Sequence, residues 1–403
     1  MKSCFLPADI ILPKDAAFEK WSVIACDQFT SDADYWSRVE QFVGDQPSTL
    51  HMVLPEIYLE DNSAQRIAAI AEEMQKYQET DILSTYPNSF IYVERTLLDG
   101  SIRPGIVGVV DLEQYHYDPT HKPLIGATEQ TVLERIPPRI AVRREASLEF
   151  PHVILFCNDA EDQIMLPIQS AKENLPKLYD FMLMEDGGHI SGWLVDGESA
   201  QKLSANIGAY LADCEGSALL VADGNHSLVT AKCWYEELKR DHPDEDLTNH
   251  PARYALVELE NILDPSVSFE PIHRVIFDTD TDRLISDLSS LCVPNGNVID
   301  WVIGEKRGTL QLDVPKGELT VAVLQKFLDK WLENNAGKID YIHDMDAVEK
   351  LAAKPNTVGL ILPVFDKAEL FAFGASGKIL PRKTFSLGHG REKRYYLEGR
   401  RIK

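Results

Sequence analysis

The residues best suited to chemistry form one polar turn, Asp223-Gly-Asn-His226, between an apolar run and a helical one. Residues 216–222 predict a buried strand, and residues 227–232 predict the start of a helix. Backbone N–H groups point outward at a helix N-terminus, where the helix dipole favours negative charge. The turn is therefore predicted to bind an anion, phosphate above all. The alternative is a turn that only caps the helix.

Each residue of this turn has its own use at an anion site. Gly224 permits backbone angles closed to other residues and lets a ligand approach the main chain, so it is assigned to phosphate with Asn225 and Ser227. Asp223 or Asn225 can also cap the helix. His226 can act as a general acid or base, or donate to a phosphoryl oxygen. A histidine that only bonds a neighbouring carbonyl would produce the same pattern.

A second candidate group lies in the segment 127–144, where Glu129 precedes a short apolar helix. A carboxylate there is either a helix cap or a positioned base. Arginine forks suit phosphate or carboxylate oxygens, and Arg139 and Arg143 are assigned to phosphate on that ground. Glutamates nearby can equally pair with these arginines as surface salt bridges.

The remaining candidates are assigned to substrate: Asp27, His273, Arg274, Lys383 and Thr384. Neighbours in a strand point to opposite faces, so at most one member of the His-Arg pair is expected to face a given cleft. A core histidine is the alternative for His273. Lys383 and Thr384 follow an extended X-Pro segment. They either bind an anion or are exposed side chains on an edge strand.

Several sites are excluded by the pattern of the sequence. There is no HExxH, CxxC or paired histidine at helical spacing, so no resident metal is predicted. A divalent ion brought in with a nucleotide, Mg²⁺ with ADP or ATP, remains open, held by carboxylates such as Asp223. The P-loop, GxGxxG and GxSxG signatures are also missing. The scattered cysteines predict reduced, packed thiols.

The composition of the chain argues against some classes of binding partner. The 403 residues carry a net charge of −24, which argues against a DNA backbone as partner. Residues 378–403 have a net charge of +7, so this basic tail is expected to dock on the acidic body or to surround an anionic ligand. No apolar run reaches membrane-spanning length, and Pro7 and Asp9 interrupt the start, so a cytoplasmic protein is expected. A homo-oligomer is left open.

The elements that must position these residues mix helices and strands without regular βαβ alternation, which predicts an α+β fold. We expect helices at 31–44, 63–78, 169–184 and 198–213, a hairpin of 89–97 with 102–112, and a strand at 368–374. Regions are predicted at 1–115 (N-terminal α/β), 116–265 (central, with the strand-turn-helix unit) and 266–403 (C-terminal α+β with the basic tail).

Separated motifs in a fixed order resemble the family known as domain of unknown function 1015. The motifs are Ala25-Cys-Asp27, Thr128-Glu129-x-Thr131, Ala222-Asp-Gly-Asn-His226, His273-Arg274 and Pro381-Arg-Lys-Thr-Phe385. The turn usual in that family, Asp-Gly-His-His-Arg, is similar to the turn of the ParB/sulfiredoxin-like superfamily. That group includes ParB partition proteins, sulfiredoxin and an ADP-dependent kinase acting on free serine.

This resemblance implies that the turn and the following helix grip nucleotide phosphates, with Asp223 and His226 in catalytic roles. It further implies phosphoryl transfer to or from a small hydroxy amino acid such as serine or phosphoserine. Glu129 is matched to the glutamate that serves the substrate hydroxyl in the kinase, and Asp27 is the other carboxylate considered for that role.

The sequence departs from the family turn at two positions. Asn225 stands in place of the first histidine and Ser227 in place of the arginine, whose fork could stabilise spreading phosphoryl charge. Three alternatives follow. Another basic group substitutes (Arg139, Arg143 or Lys383), or the protein binds a different ligand, or it is a non-catalytic nucleotide- or metabolite-binding protein.

Overall fold

The computed structural model describes residues 3–14, 16–24, 32–58, 64–118, 121, 123–129, 131, 136–150, 153–343, 345–364, 366–381, 383–388 and 390–403. The α-helices of this part are α1 Phe18–Trp21, α2 Ala33–Val43, α3 Ala64–Glu79, α4 Ile136–Glu145, α5 Met165–Ala171, α6 Gly197–Asp213, α7 Asn225–Asp241, α8 Thr281–Ser289, α9 Thr320–Leu332, α10 Met345–Ala352 and α11 Lys367–Ala375. Short 3₁₀ turns include Thr49–Met52 and Pro251–Arg253.

The strands are distributed over the whole chain. They are β1 Phe5–Leu6, β2 Ala8–Pro13, β3 Val23–Ile24, β4 Leu83–Thr96, β5 Ile102–Asp111, β6 Tyr115–His116, β7 Ile125–Gly126, β8 Leu148–Glu149, β9 Ile154–Cys157, β10 Lys177–Met182, β11 His189–Val195, β12 Leu219–Asp223, β13 Tyr254–Asn261, β14 Phe269–Pro271, β15 His273–Phe277, β16 Cys292–Ile303, β17 Lys306–Leu312, β18 Lys338–Ile342, β19 Val358–Ile361, β20 Phe385–Leu387, β21 Tyr395–Tyr396 and β22 Arg400–Arg401. The predicted α+β class with mixed sheets and packed helices is confirmed.

The chain divides into two compact units, and the first is discontinuous in sequence. It contains Met1–Val267 together with His389–Lys403. Its main sheet has the order β10-β11-β4-β5-β13-β9-β12-β7-β6, with β1 paired to β5 and β2 to β4. Most neighbours are antiparallel, but β12 and β6 both run parallel to β7, and β13 runs parallel to β9. The pairs β12–β7 and β13–β9 carry the site described below.

Apolar periodicity explains how the first unit builds its core. The helix predicted at 63–78 is α3, and the four residues of its predicted apolar face, Ile67, Ile70, Met74 and Tyr77, are buried. The predicted hairpin is confirmed as β4 and β5, with Thr96 opposite Ile102 across the turn. The strand-turn-helix unit is confirmed as β12 followed by α7. The core of this unit lies between the main sheet and the helices packed on it.

The second unit, Ser268–Gly388, is a smaller α+β body. A five-stranded sheet of order β17-β16-β19-β15-β18 forms its centre, and β14 pairs separately with β20. Amphipathic helices cover this sheet. In α9, for example, Val321, Leu324 and Leu328 are fully buried at helical spacing.

Two sequence predictions are corrected by the structure. The segment 169–184 is not one helix, because α5 ends at Ala171 and β10 pairs with β11. The segment 368–374 is not a strand, because Asp366 caps α11 by accepting hydrogen bonds from the N–H groups of Ala368 and Glu369. The helix predicted at 31–44 is α2, and Asp32 caps it by accepting a hydrogen bond from the N–H of Tyr35.

Candidate phosphate-binding site

Parallel pairing of β7 with β12 brings two of the predicted segments to one edge of the sheet. Leu219 lies opposite Ile125, so residues 127–129 and 223–227 both follow strands that end at this edge. The hydroxyl of Thr128 donates to the carbonyl oxygen of Val221 at 2.6 Å, and Nδ2 of Asn225 donates to Oγ1 of Thr128 at 3.4 Å. Glu129 therefore directly follows Thr128, the residue that contacts the turn.

The turn itself is held by a left-handed glycine. Gly224 has φ +84° and is the N-cap of α7, and its carbonyl oxygen accepts from the N–H groups of Ser227 at 3.0 Å and Leu228 at 3.1 Å. The N-cap position is thus occupied by Gly224 rather than by Asp223 or Asn225. Residues 223–227 are all partly exposed. The corner is thus accessible from solvent.

Asp223 has a cationic partner that the sequence reasoning did not single out. Nζ of Lys393 lies 3.1 Å from Oδ1 of Asp223, and the lysine side chain is only 9% exposed, against 28% for the aspartate. The sole signal in the sequence was the basic tail as a whole. Its expected docking on the acidic body is observed within the first unit at this pair and at Arg400, which pairs with Glu149 at 2.5 Å.

Two buried arginines fix the backbone on which Lys393 stands. Nη1 of Arg95 donates to the carbonyl oxygens of Glu392 at 2.8 Å and Lys393 at 2.5 Å, and its Nη2 donates to that of Arg391. Nη2 of Arg103 donates to the carbonyl oxygen of Glu392 at 2.7 Å. Residues 391–394, here called the return segment, are thereby tied to the face of β4 and β5.

The next residue of the return segment, Arg394, completes a buried ionic group on the same face. Its Nε lies 2.9 Å from Oε2 of Glu258, and its Nη2 donates to Glu398. A Cβ at position 105 would lie 2.1 Å from Oε1 of Glu258, so Gly105 makes room for that carboxylate over β5. Paired in this way, the buried charges are not left without counter-ions.

Glu260 lies beside this group but is bonded less well. Nε of Arg103 lies 3.1 Å from its Oε1, yet neither carboxyl oxygen receives a hydrogen bond from a described residue. Burial raises the pKa of Glu260 to about 7, although Arg103 opposes the shift. Burial thus favours the protonated form of Glu260.

A cavity of about 160 Å³ lies between α4 and α7, and three of the predicted phosphate-binding residues border it. These are Arg139 and Arg143 of α4 and Ser227 of the turn. The rest of the wall is largely apolar and is formed by Met52, Val53, Leu54, Met74, Val142, Ala146, Leu148, Glu149, Phe150, Val153, Leu228, Thr230, Ala231, Ala255, Leu256, Tyr396 and Ile402. The wall thus combines two arginines and a hydroxyl with mostly apolar side chains, which suit an apolar group.

Arg143 is held in place from two sides. Its Nη1 lies 2.5 Å from Oε2 of Glu149, and its guanidinium lies 5.2 Å from the ring centre of Trp234. Burial alone would raise the pKa of Glu149, but Arg143 and Arg400 outweigh it and hold that pKa below its usual value. Nε and Nη2 of Arg143 are buried and have no hydrogen-bond partner among the described residues. Arg143 thus keeps unsatisfied donors on a side chain that borders the cavity.

The residues assigned to substrate lie in separate parts of the chain. Asp27 lies outside the described residues. His273 and Arg274 are buried in β15 of the second unit, where Nδ1 of His273 accepts from the N–H of Leu362 at 3.1 Å. Lys383 and Thr384 belong to the same unit, and Thr384 is fully buried. Their role in substrate binding stays a prediction.

Three further properties concern only the described part of the chain. It holds no cluster of three or more histidine, cysteine, aspartate or glutamate side chains suited to a metal ion. Its five cysteines, Cys4, Cys157, Cys214, Cys233 and Cys292, form no disulfide. None of its helices combines the length and the apolar character needed to span a bilayer.

Comparison with known sequences places the chain in a family. Residues 6–368 match the family described as protein of unknown function (DUF1015), and the chain belongs to it. The family resemblance drawn from the separated motifs is thereby confirmed. No curated protein matches the sequence.

Among solved structures, the chain is similar to SbnI from Staphylococcus aureus, with 9% identity, a TM-score of 0.38, and coverage of 70% of this chain and 82% of that one. It is also similar to a free serine kinase in complex with AMP, with 11% identity, a TM-score of 0.36, and coverage of 72% and 86%. A conserved hypothetical protein from Pyrococcus furiosus has 11% identity, a TM-score of 0.35, and coverage of 73% and 94%.

Proposed function

We propose that this protein binds a nucleotide at the Asp223–Ser227 corner and transfers a phosphoryl group to or from a small hydroxy amino acid of the serine type. The observation that carries the proposal is the shared cavity. Ser227 of the turn borders the same space as Arg139 and Arg143, so an anion at the start of α7 has guanidinium groups beside it.

The polar and the apolar residues of the cavity wall suit different parts of a nucleotide. The phosphates lie at the N-terminus of α7, and Arg143, which borders the same cavity as Ser227, supplies a guanidinium to them. The base lies among the apolar side chains. A cavity of about 160 Å³ is large enough for one aromatic ring, since an engineered cavity of roughly 150 Å³ binds benzene.

The arginines of α4 can replace the arginine that the family turn has at the position of Ser227. In the usual family turn an arginine at this position would supply a fork to the phosphoryl group. Here Arg139 and Arg143 of the neighbouring helix α4 both border the cavity. We therefore assign these two residues to the phosphates in place of the missing arginine.

The acceptor side of the reaction is assigned to Glu129 and His226. Glu129 follows Thr128, which contacts both Val221 and Asn225, so its backbone lies at the turn. A carboxylate there orients the amino-acid hydroxyl, and His226 moves a proton or donates to a phosphoryl oxygen. Mg²⁺ would enter with the nucleotide phosphates and take one or two carboxylates of the corner, Glu129 or Asp223, to neutralise phosphoryl charge.

A thermal-shift screen followed by a product assay tests this function. ADP and ATP with Mg²⁺ are expected to raise the melting temperature, because ligands of the folded state stabilise it by mass action. Phosphoserine is expected to form from serine, or serine from phosphoserine. Asp223→Ala and His226→Ala should each abolish turnover without loss of fold. Asp213→Ala and His242→Ala, at exposed positions, are the controls. Unchanged turnover in both site variants would remove the proposal.

A non-catalytic nucleotide- or metabolite-binding protein is the second candidate. It is favoured by Ser227 in place of an arginine and by the prior pairing of Arg143 with Glu149 at 2.5 Å. Calorimetry with a nucleotide panel, run beside the product assay, separates the two. Tight binding without product in either direction supports this candidate and excludes the enzyme.

A further inference from the structure

We infer that this protein has a second ligand site, which takes a small zwitterion: a free amino acid or a short peptide with an apolar side chain. The site is a cavity of about 520 Å³ in the first unit, here called the second cavity. Cavities that bind small molecules commonly fall in this size range. Among the described residues, none borders both this cavity and the one between α4 and α7. The inference therefore does not depend on the proposed function.

Charged side chains of both signs border the second cavity. Its polar wall is formed by Asp9, Asn88, Tyr254, Arg400, Arg401 and Lys403. Leu6 and Val109 add apolar surface to the same wall. An amino acid or a peptide carries a carboxylate, an ammonium and an apolar carbon skeleton, and this wall offers a partner of matching character to each of them.

Arg401 is the cation that we assign to the carboxylate of the ligand. The residue is exposed, and its side chain makes a single hydrogen bond with a described residue, from Nε to Oε1 of Gln78 at 3.4 Å. That bond is long, whereas a guanidinium has five N–H donors in a fork that fits a carboxylate. Arg400 is not assigned to the ligand, because it already donates to Glu149 and to three carbonyl oxygens.

Asp9 is the acid that we assign to the ammonium of the ligand. Its Oδ1 accepts a hydrogen bond from the backbone N–H of Asn88 at 2.9 Å, which ties the carboxylate to β4. Within the described part of the chain, no cation forms an ion pair with Asp9. The carboxylate is thus held in place by the main chain, and its charge is not neutralised by a neighbour.

Long-range contacts fix the backbone around the second cavity. Nη2 of Arg400 donates to the carbonyl oxygens of Pro251, at 2.9 Å, and of Tyr254, which joins β22 to the start of β13. Ile11 and Gly399 exchange two backbone hydrogen bonds of 2.7 and 2.8 Å, which join β2 to the residue before β22. A wall that is formed before the ligand arrives lowers the entropy cost of binding.

The size of the second cavity admits both kinds of zwitterion. A sphere of this volume is about 10 Å across, and three extended residues span about 10 Å. A tripeptide therefore fits with its termini at opposite ends, and a free amino acid occupies part of the space. The two ligands share their charged groups and differ in the distance between them, so they are tested side by side.

The test is calorimetric titration of the full chain with leucine and with the tripeptide alanyl-leucyl-alanine. At least one of them should bind, and the tighter one identifies the kind of zwitterion. Arg401→Gln and Asp9→Asn should each weaken that ligand at least about tenfold, as for loss of one charged hydrogen bond. Arg240→Gln and Asp241→Asn, at exposed positions that border neither cavity, are the matched controls and should change its affinity less than about twofold.

Capped forms of the same ligand test each charge without relying on a variant. The N-acetylated form lacks the ammonium and the C-amidated form lacks the carboxylate, so each should bind the unchanged chain at least about tenfold more weakly. Asp9→Asn should weaken the acetylated form no further, and Arg401→Gln should weaken the amidated form no further. These two results would assign each residue to its own end of the ligand.

Three results would overturn the inference: neither ligand binds at millimolar concentration, the capped forms bind as tightly as the free zwitterion, or both variants bind like the unchanged chain. ADP affinity should stay within about twofold in Arg401→Gln and Asp9→Asn, because neither residue borders the cavity between α4 and α7. Failure of the second site would therefore leave the proposed function standing.

Discussion

The hydroxyl of Thr128 donates a hydrogen bond of 2.6 Å to the carbonyl oxygen of Val221, and this bond joins two chain segments 93 residues apart. Thr128 is buried, so the bond is shielded from water. Because Glu129 follows directly, the same bond fixes where the backbone of that carboxylate begins. The geometry of the corner thus depends on one neutral hydroxyl.

Replacement of that hydroxyl should loosen the corner. Thr128→Val keeps the shape but removes the donor, and we expect the free energy of unfolding to fall by about 1–2 kcal/mol in urea titrations. Turnover should fall as well if Glu129 is displaced. Thr80→Val removes an exposed hydroxyl bonded to the carbonyl of Lys76 at 2.8 Å and is the control. Equal stability of both variants would contradict the structural role of Thr128.

Two adjacent arginines of α4 offer a matched comparison. Arg143 borders the cavity, whereas Arg144 is 56% exposed and pairs with Glu237 at 2.7 Å. Arg143→Gln should weaken ADP binding at least about tenfold and lower the melting temperature, because Glu149 loses one of its two arginine partners. Arg144→Gln should change ADP affinity less than about twofold. Similar affinities for the two variants would place the phosphates elsewhere.

A larger side chain in the cavity should prevent binding of the nucleotide base without unfolding the protein. Ala231 lines the cavity and is 2% exposed, so Ala231→Leu adds apolar atoms into that space. We expect ADP and adenosine to lose affinity together, by at least about tenfold, with little change in melting temperature. Ala209→Leu adds the same volume at an exposed position of α6. Full ADP affinity in Ala231→Leu would show that the base does not occupy this cavity.

Glu260 predicts a specific pH dependence of stability. Burial raises its pKa from 4.5 to about 7, so the folded state binds the proton more tightly than the unfolded chain. Its stabilising contribution is complete below about pH 4.5 and is lost as pH rises through about 7. The free energy of unfolding of the wild-type protein, measured relative to that of Glu260→Gln, should therefore fall by up to a few kcal/mol between about pH 5 and 8. Parallel stability curves for the two proteins would refute this.

Local patterns predicted much of the fold but failed where distant contacts decide. Helix α3 follows from its apolar spacing alone. Residues 177–182 contain good helix formers but follow Pro176. They form β10 because β11 pairs with them as a neighbouring strand. The strand predicted at 368–374 reflects its aromatic residues, while the cap at Asp366 was the overlooked signal for α11.

The candidate site was predictable only in part for a similar reason. The Asp223 turn is readable because strand, glycine and helix are consecutive in sequence. Lys393 is not, since it lies 170 residues from Asp223 and reaches it through buried arginine contacts that no local pattern encodes. Charge counting indicated a basic tail but could not show which of its cations docks against which acid.

The discontinuity of the first unit has a consequence for biosynthesis. The return segment is synthesised only after all of Ser268–Gly388. Before the C-terminal residues are made, Glu258 lacks Arg394, and Glu149 has Arg143 but lacks Arg400. A nascent chain at that stage lacks part of the positive charge that pairs with these buried acids, a costly state. Acquisition of the Asp223–Lys393 pair thus coincides with closure of the whole unit, so an unfinished chain has no assembled corner with which to bind.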